Sequence, residues 1–513
     1  MSWLLVAPIM TPMITACLVF LAPADRLLRG RISVLGAGAL TVLGAVLLFE
    51  VWLYGPIAGD MGSWPAPFGI TLITDLFSAL MVFTSGLAGL AVATYALVDI
   101  DHERAAGGFD SFLQMLLAGV TGAFLTGELF NLYVWFEVML IASFALMTLG
   151  GDRRQLDGAV KYVAINLIST VLLLTAIGLL YGLAGTLNMA DLRGRLVDLD
   201  QQDLLGVVAV FFLIAFGIKA AVFPLFFWLP ASYHTPPIAV SALFAGLMTK
   251  IGVYALIRTF TLIFPVGIGV ISEILFVTAL ATMIIGVLGA IAQTDIRRIL
   301  AFQVIASIGF LLLGIALGST LAMTAAVVYM VHAMLLKTQL FMISGIVGRE
   351  AGGFELAQLG GLYRARPGLA IVFLIGALAL MGIPPLTGFW PKVLMIETGL
   401  EQGAVLAVAI ILIYSLLTFI PLIRIWSHAF WAPGPGTPGS VDLEPVTGRS
   451  ERRLLTLPAA GLAVVILAIG LMPEPLLQIA EGAAVGILQP EAYLEAVLGS
   501  PDDDLAAITE PLR

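Results

Sequence analysis

Residues 211–250 read FFLIAFGIKAAVFPLFFWLPASYHTPPIAVSALFAGLMTK. An apolar run carries Lys219 in its middle, breaks over Pro224, Pro230, Pro236 and Pro237, and gives way to a second apolar run that carries Lys250. A lysine in hydrocarbon costs about 2.5–3.5 kcal/mol even on the lenient insertion scale. Irregular backbone at membrane depth survives only where protein or a water-filled cavity satisfies its freed N–H and C=O groups. Two charged side chains beside a broken helix therefore point to an internal hydrated path. The bland alternative is a pair of lysines snorkelling from helix ends. Each lies several residues inside its run, which argues against it.

Composition agrees with a membrane chain. Hydrophobic residues make up 60% of the 513 and charged ones only 11%, far from the soluble average. Apolar runs of spanning length recur from end to end, so one all-α polytopic domain is expected. A net charge of -9 argues against nucleic acid as a partner. Cys17 stands alone, so neither a disulfide framework nor a cysteine metal site is available. The opening MSWLLVAPIMTPMITACLVFLAP lacks a basic leader region and reads as a retained first span.

About fourteen spans are expected. They fall near 3–22, 33–53, 71–97, 109–127, 129–149, 159–184 and 204–223, then 238–259, 268–291, 297–317, 320–347, 368–399, 404–427 and 455–472. Basic residues collect in alternate connections: Arg26, Arg29 and Arg31; Arg104; Arg153, Arg154 and Lys161; Arg297 and Arg298; Arg349, Arg364 and Arg366; Arg449, Arg452 and Arg453. The remaining connections carry little beyond Arg193, Arg195 and Arg258. By the positive-inside rule the first set is cytoplasmic and both termini face outward, in what reads as the plasma (inner) membrane of a bacterium.

Lysine and arginine are used differently. Of the five lysines only Lys161 lies at a basic edge, while Lys219, Lys250, Lys337 and Lys392 lie inside apolar runs. Lysine changes protonation readily when buried and arginine does not. Lysine inside and arginine outside suits proton exchange better than fixed charge.

A second break lies at 378–392, LALMGIPPLTGFWPK, where PLTGFWP (385–391) echoes PLFFWLP (224–230). Paired Pro-interrupted spans point to an internal repeat with sites at the breaks. Spans 4–8 (109–260) and 9–13 (268–430) are the natural halves, and five spans each makes them inverted. Residues 1–108 hold spans 1–3. Residues 431–513 hold a polar loop at 431–453, span 14 and an acidic, partly apolar tail.

Glu137 lies mid-span in ELFNLYVWFEVMLIASFALMTLGG (128–151). A buried carboxylate must neutralise or find a cation, and Lys219 is the best candidate. A structural ion pair is the competing reading. His332 and Lys337 lie five residues apart, about 140° around a regular helix, so they share one face only if that helix is irregular. His332 suits a proton relay but also fits a structural hydrogen bond. His234, in the broken segment toward the basic side, is either a guard at an entrance or a plain loop residue. Glu128, Asp75 and Glu273 read as solvated span ends, and His102 and His428 as surface groups. No phosphate loop, cysteine cluster or HExxH is present, so no nucleotide, flavin, haem or iron–sulfur cofactor is expected.

FNLYVWFEVMLIASFALMTLGG (130–151), KYVAINLIST (161–170) and LLYGLAGTLNMADL (179–192) resemble the D subunits of Mrp-type sodium/proton antiporters. These belong to the wider group of antiporter-like membrane subunits of respiratory complex I. The resemblance covers nearly the whole chain. It implies fourteen helices, two inverted five-helix repeats, broken helices 7 and 12, and a place beside other subunits of a hetero-oligomeric complex. It also implies a proton path. The family's helix-5 glutamate matches Glu137 and its helix-7 lysine Lys219; the helix-8 lysine matches Lys250. The helix-11 titratable groups match His332 and Lys337, and the helix-12 group matches Lys392. The M-type complex I subunit has glutamate at that last place, so Lys392 departs from it. Three readings follow: a proton-translocating antiporter subunit exchanging protons for sodium through the complex, a proton-pumping subunit of a redox complex, or a scaffold whose lysines dock neighbours.

Overall fold

The computed structural model describes residues 3–197, 199, 202–264, 270–433 and 448–499. Most of the 431–453 loop and the end of the tail, both singled out above, lie outside the described residues. Among the described residues, twelve helices are long and apolar enough to cross a bilayer. These are α1 (Trp3–Leu21), α2 (Arg26–Tyr54), α3 (Leu76–Asp99), α5 (Leu129–Thr148), α6 (Arg153–Ala184) and α7 (Gln202–Ala220), then α9 (Ile238–Ile263), α10 (Val270–Ala292), α11 (Ile296–Leu317), α12 (Thr320–Ala351), α15 (Val405–Trp431) and α16 (Arg449–Leu471). The shorter α4 (Phe109–Leu125) and the pair α13 (Pro367–Met381) and α14 (Phe389–Glu401) complete the fourteen crossings expected. A five-residue α8 (Trp228–Ser232) follows α7.

Backbone polarity explains why helices fill the chain, since lipid offers no partner for an open N–H or C=O. The ends are closed by side chains at the rims. Asp25, Asp75, Glu128, Asp295 and Ser319 each accept from backbone N–H groups of the first turn they precede. Burial is uneven in a way that decides the site. α12 is buried along its whole apolar length, and α9 and α11 nearly so, whereas α2, α6 and α16 show much of their surface to lipid. The spine of the bundle is therefore α12. It is flanked by α11 on one side and by the first half of α9 on the other.

Both Pro-rich breaks are real. α7 stops at Ala220 and helix resumes at Trp228; α13 stops at Met381 and helix resumes at Phe389. Helix order is also parallel in the two halves, and the third helix of each, α6 and α12, has 32 residues.

The basic connections gather at one end. Arg104 pairs with Asp152 at 3.2 Å, Arg349 with Asp99 at 2.9 Å, and Arg26 donates to the Leu97 carbonyl at 2.9 Å. At the other end, Asn188 donates to Thr71 and Arg193 to the Thr261 carbonyl. The chain thus alternates between a basic rim and a second rim.

Three features of the second rim were not expected. A short antiparallel hairpin, β1 (Ile57–Asp60) with β2 (Thr71–Thr74), covers it. The tail forms α17 (Glu474–Leu488), which packs on α12 and α3, and α18 (Glu491–Leu498). Asp75 and Glu128, expected to be solvated, are buried. Glu128 caps α5 through the N–H groups of Phe130 and Asn131. Asp75 takes both oxygens to Arg258 Nη2, at 2.5 and 2.6 Å. Burial alone would raise the Asp75 carboxyl, but Arg258 and Ser78 outweigh it and hold it below the usual range. Arg258 lies inside α9 rather than in a connection. Its guanidinium sits against the rings of Phe77, Tyr254 and Tyr493, so α18 closes the pair from outside.

Removing one member of a buried pair strands the other charge, at about 3–5 kcal/mol. Arg258→Ala should therefore lower the thermal stability of the solubilised protein sharply. Asp75→Asn/Arg258→Met should recover part of it. A single Arg258→Ala variant melting with wild type would show that the pair holds nothing.

Candidate functional site

The candidate site is the set of buried lysines on α7, α9, α12 and α14 together with His332 of α12. Lys219 is the next-to-last residue of α7, closer to the helix end than its apolar run suggested. Beyond it Ala221 takes a left-handed φ of 63°, and the Trp228 indole donates to the Ile218 carbonyl at 3.0 Å. The Lys219 ammonium lies 4.7 Å from the centre of the Phe136 ring, within cation–π range. It borders a cavity of about 20 Å³, room for about one water, lined also by Tyr162, Asn166, Trp228 and Met248. α9 reaches this point because Gly252 has no side chain. A Cβ there would stand 2.6 Å from the Ala220 nitrogen.

Glu137 is not in contact with Lys219, contrary to the ion pair expected from sequence. The described salt bridges do not include it, and its carboxylate accepts from Thr170 Oγ1 of α6 at 2.7 Å. It is half-buried rather than buried. The cause is its helix face. Phe130, Val134, Ile141 and Phe144 are exposed on α5 at helical spacing, and Glu137 falls on the same stripe.

α9 widens into a π turn over Phe244–Met248. Such bulges free carbonyls from the regular ladder and are frequent at functional sites. Lys250 is fully buried and donates to the carbonyl of Ala245 inside that turn. The Thr249 hydroxyl beside it has no partner.

α12 carries the next two groups. It is regular throughout, so the local irregularity that would turn His332 and Lys337 to one face is not present. Lys337 is fully buried and its ammonium has no hydrogen-bond partner. His332 shares a 2.7 Å hydrogen bond between Nδ1 and Thr387 Oγ1 of the second break, and its Nε2 is unpartnered. Both ends of the Gln303 amide, buried on α11, are unpartnered as well. Lys392 ends the series. Its ammonium donates to the carbonyls of Met381 (2.8 Å) and Leu380 (3.3 Å), the negative end of the α13 dipole. It lies 5.2 Å from the Tyr414 ring, whose hydroxyl bonds to Tyr329 at 2.9 Å. Gly382 makes the fit possible: its φ is 83°, and a Cβ there would stand 2.9 Å from Lys392 Nζ.

His234 stands apart from this set, at the basic rim. Nδ1 donates to the Pro230 carbonyl at 2.9 Å, which leaves Nε2 to accept from Arg298 at 3.1 Å. Burial first, then Arg298 and Arg297, hold the imidazole near 4 against the help of Asp295, so it is neutral at physiological pH. Sequence reasoning passed over Thr170, Asn166, Gln303, Tyr329, Thr387 and Tyr414. Their signal was weak but present: each is a polar side chain inside apolar text.

Four likenesses to known proteins bear on this arrangement. A family profile described as NADH:quinone oxidoreductase/Mrp antiporter, TM, matches residues 126–418. The D subunit of the Na(+)/H(+) antiporter of Alkalihalophilus pseudofirmus is 39% identical over 97% of this chain and 100% of its own length. A chain of the Mrp complex from Dietzia sp. DQ12-45-1b superposes with a TM-score of 0.90 at 30% identity, over 97% of this chain and 100% of its own. A chain of respiratory complex I from Thermus thermophilus superposes with a TM-score of 0.80 at 24% identity, over 94% and 99%, a likeness of fold.

The state of His234 has a measurable sign. Its folded value lies below the ordinary 6.5, so the neutral ring stabilises the fold above that pH. The contribution is lost as pH falls toward 4. Melting temperature should drop between pH 6.5 and 4 more steeply in the wild type than in His234→Gln, which still accepts from Arg298. Parallel curves for the two proteins would refute the assignment.

Proposed function

This chain belongs to the NADH:quinone oxidoreductase/Mrp antiporter membrane family, as the D component of a multi-subunit Mrp Na+/H+ antiporter, and on that premise we propose that it carries the protons. The carrying observation is the set of buried cationic groups. Lys219, Lys250, Lys337, His332 and Lys392 are all buried in the core, and polar atoms of Thr249, Gln303, Lys337 and His332 find no hydrogen-bond partner among the described residues. Buried polar atoms without protein partners are where ordered water is held. A lysine whose only partners are carbonyls, a ring or water can release and regain a proton, as an ion-paired arginine cannot.

Protons enter from the basic side near the first break, pass Lys219 and Lys250, cross α12 by Lys337 and His332, and leave by Lys392. His234 stays neutral and takes no part. Glu137 acts as a switch. While bonded to Thr170 it stands off from Lys219; drawn toward the lysine, it favours the charged ammonium. The halves 109–260 and 268–430 work as inverted repeats, a reading supported by the parallel helix order and the paired breaks.

Orientation follows the basic rim, which we assign to the cytoplasm. With Cys17→Ser as background, a cysteine at Glu103 should be shielded from an impermeant maleimide added outside, and one at Gly403 should react. The reverse pattern would invert the topology.

The pair Glu137 and Lys219 gives the functional test. Glu137→Gln and Lys219→Arg should each lower sodium-driven pH change in vesicles holding the whole complex by tenfold or more, on the order of 1.4 kcal/mol per decade. Glu137→Asp should retain part of the activity. Subunit content checked by blot separates transport from assembly. A purely structural pair predicts that Lys219→Arg works and Lys219→Ala fails to assemble. Near-normal transport by an assembled Lys219→Arg complex would end the proposal.

A further inference from the structure

At the basic rim the bundle holds a large opening. It is a cavity of about 530 Å³ between α1, the start of α2 and the start of α4. This is within the size range of small-molecule sites, about 300–1,000 Å³. Its walls change character with depth. Toward the membrane interior they are Ala16, Cys17 and Phe20 of α1 and Phe112 and Met115 of α4, an apolar slot open to the side. At the rim they become Arg29 and the backbone of Gly107 and Gly108. Arg29 and Ala106 are shared with a smaller hollow that adds Arg26 and His102.

The rim side is short of acceptors. Arg29 Nη2 donates to the Ala22 carbonyl at 3.0 Å, but its Nε is buried with no partner. Arg26 Nη2 donates to Leu97, another carbonyl, so neither guanidinium meets a carboxylate directly. Nearby acids are otherwise engaged. Asp25 caps α2, Asp101 caps residues 102–106 and pairs with Arg104, and Asp110 is hydrogen-bonded to Ser33. The described hydrogen bonds occupy one nitrogen of each guanidinium, so Arg26 and Arg29 both bring further donors to the mouth of an apolar slot. The mouth lies at the basic end of the bundle, where α1 ends and α2 begins.

We propose that this cavity binds one anionic phospholipid, with a phosphate on Arg29 and Arg26 and an acyl chain in the slot along Cys17, Phe20, Phe112 and Met115. The chemistry fits on both counts. Arginine presents a planar fork of donors that matches phosphate, and a zwitterionic headgroup would bring a second cation to a cationic mouth. Basic pockets between helices at a membrane surface are where such headgroups are held. The lipid ties α1 and α2 to α4 and so braces the outer helices against the first half of the bundle. This reading does not depend on the proton path.

The whole complex in nanodiscs of phosphatidylglycerol and phosphatidylcholine tests it, with retained lipid counted by native mass spectrometry after detergent exchange. Wild type should retain phosphatidylglycerol in preference. Arg29→Gln and Arg26→Gln should each lower that preference about fivefold, the factor for one basic residue near the surface. Cys17→Trp, at an exposed position, should fill the slot and lower retention of both lipids without touching the charges. Benzoylphenylalanine in place of Phe20 should form a lipid adduct on illumination. Equal retention of the two lipids by wild type, or no change in any of the three variants, would overturn the proposal. So would an adduct to another protein of the complex instead of lipid, which would make the slot a protein contact.

Discussion

A cation inside hydrocarbon must be given electrons to face, and this bundle answers that demand in two different ways. Arg258 receives a full set: both oxygens of Asp75, the Tyr254 hydroxyl and three aromatic rings. Such a site is fixed, because any movement breaks several contacts at once. The four buried lysines receive far less. Lys219 has a ring, Lys250 one carbonyl, Lys392 two carbonyls and a ring, and Lys337 nothing from the described protein atoms. Partial satisfaction is costly to the fold, and it is also what leaves a group free to change state.

The irregular backbone exists to supply those partial partners. A regular helix uses its own carbonyls, so a bundle of perfect helices has none for a lysine. The π turn at 244–248 frees Ala245 for Lys250, and the stop at Met381 frees two carbonyls for Lys392. Around Lys219 the Ile218 carbonyl is taken by the Ala221 N–H and the Trp228 indole, so this ammonium is left to a ring and a small cavity. The two breaks are thus not equivalent. One holds its lysine against a helix dipole, and the other leaves its lysine sensitive to whatever charge approaches. The long, straight and wholly buried α12 runs between them, carrying the two groups that span the gap.

Much of this was legible in the sequence, and the parts that were not share a cause. Spans, breaks and the buried lysines show up as one-dimensional hydropathy with interruptions, and the helices begin and end within a few residues of expectation. Asp75 and Glu128 were misread as solvated, because a carboxylate at a span end looks the same whether it meets water or an arginine 183 residues away. The hairpin over residues 57–74 and helices α17 and α18 are short and only half apolar, below what hydropathy can resolve. Glu137 was placed on the correct helix, but hydropathy does not say which face of α5 looks inward. The exposed stripe of Phe130, Val134, Ile141 and Phe144 was indistinguishable from core until its neighbours were known.

That stripe changes how Glu137 can act. A carboxylate in contact with Lys219 would hold the proton permanently; one held by Thr170 has somewhere to move from. At an effective dielectric near 20, two unit charges 4 Å apart attract by about 4 kcal/mol, and doubling the distance halves this. The swing is therefore about 2 kcal/mol, roughly thirtyfold in the proton affinity of the lysine. A change of that size can empty a group poised near neutrality, and it is too small to empty one clamped as Arg258 is. The proposed switch rests on two observed features: a lysine with few strong partners, and a carboxylate bonded to Thr170 on a neighbouring helix rather than to the lysine itself.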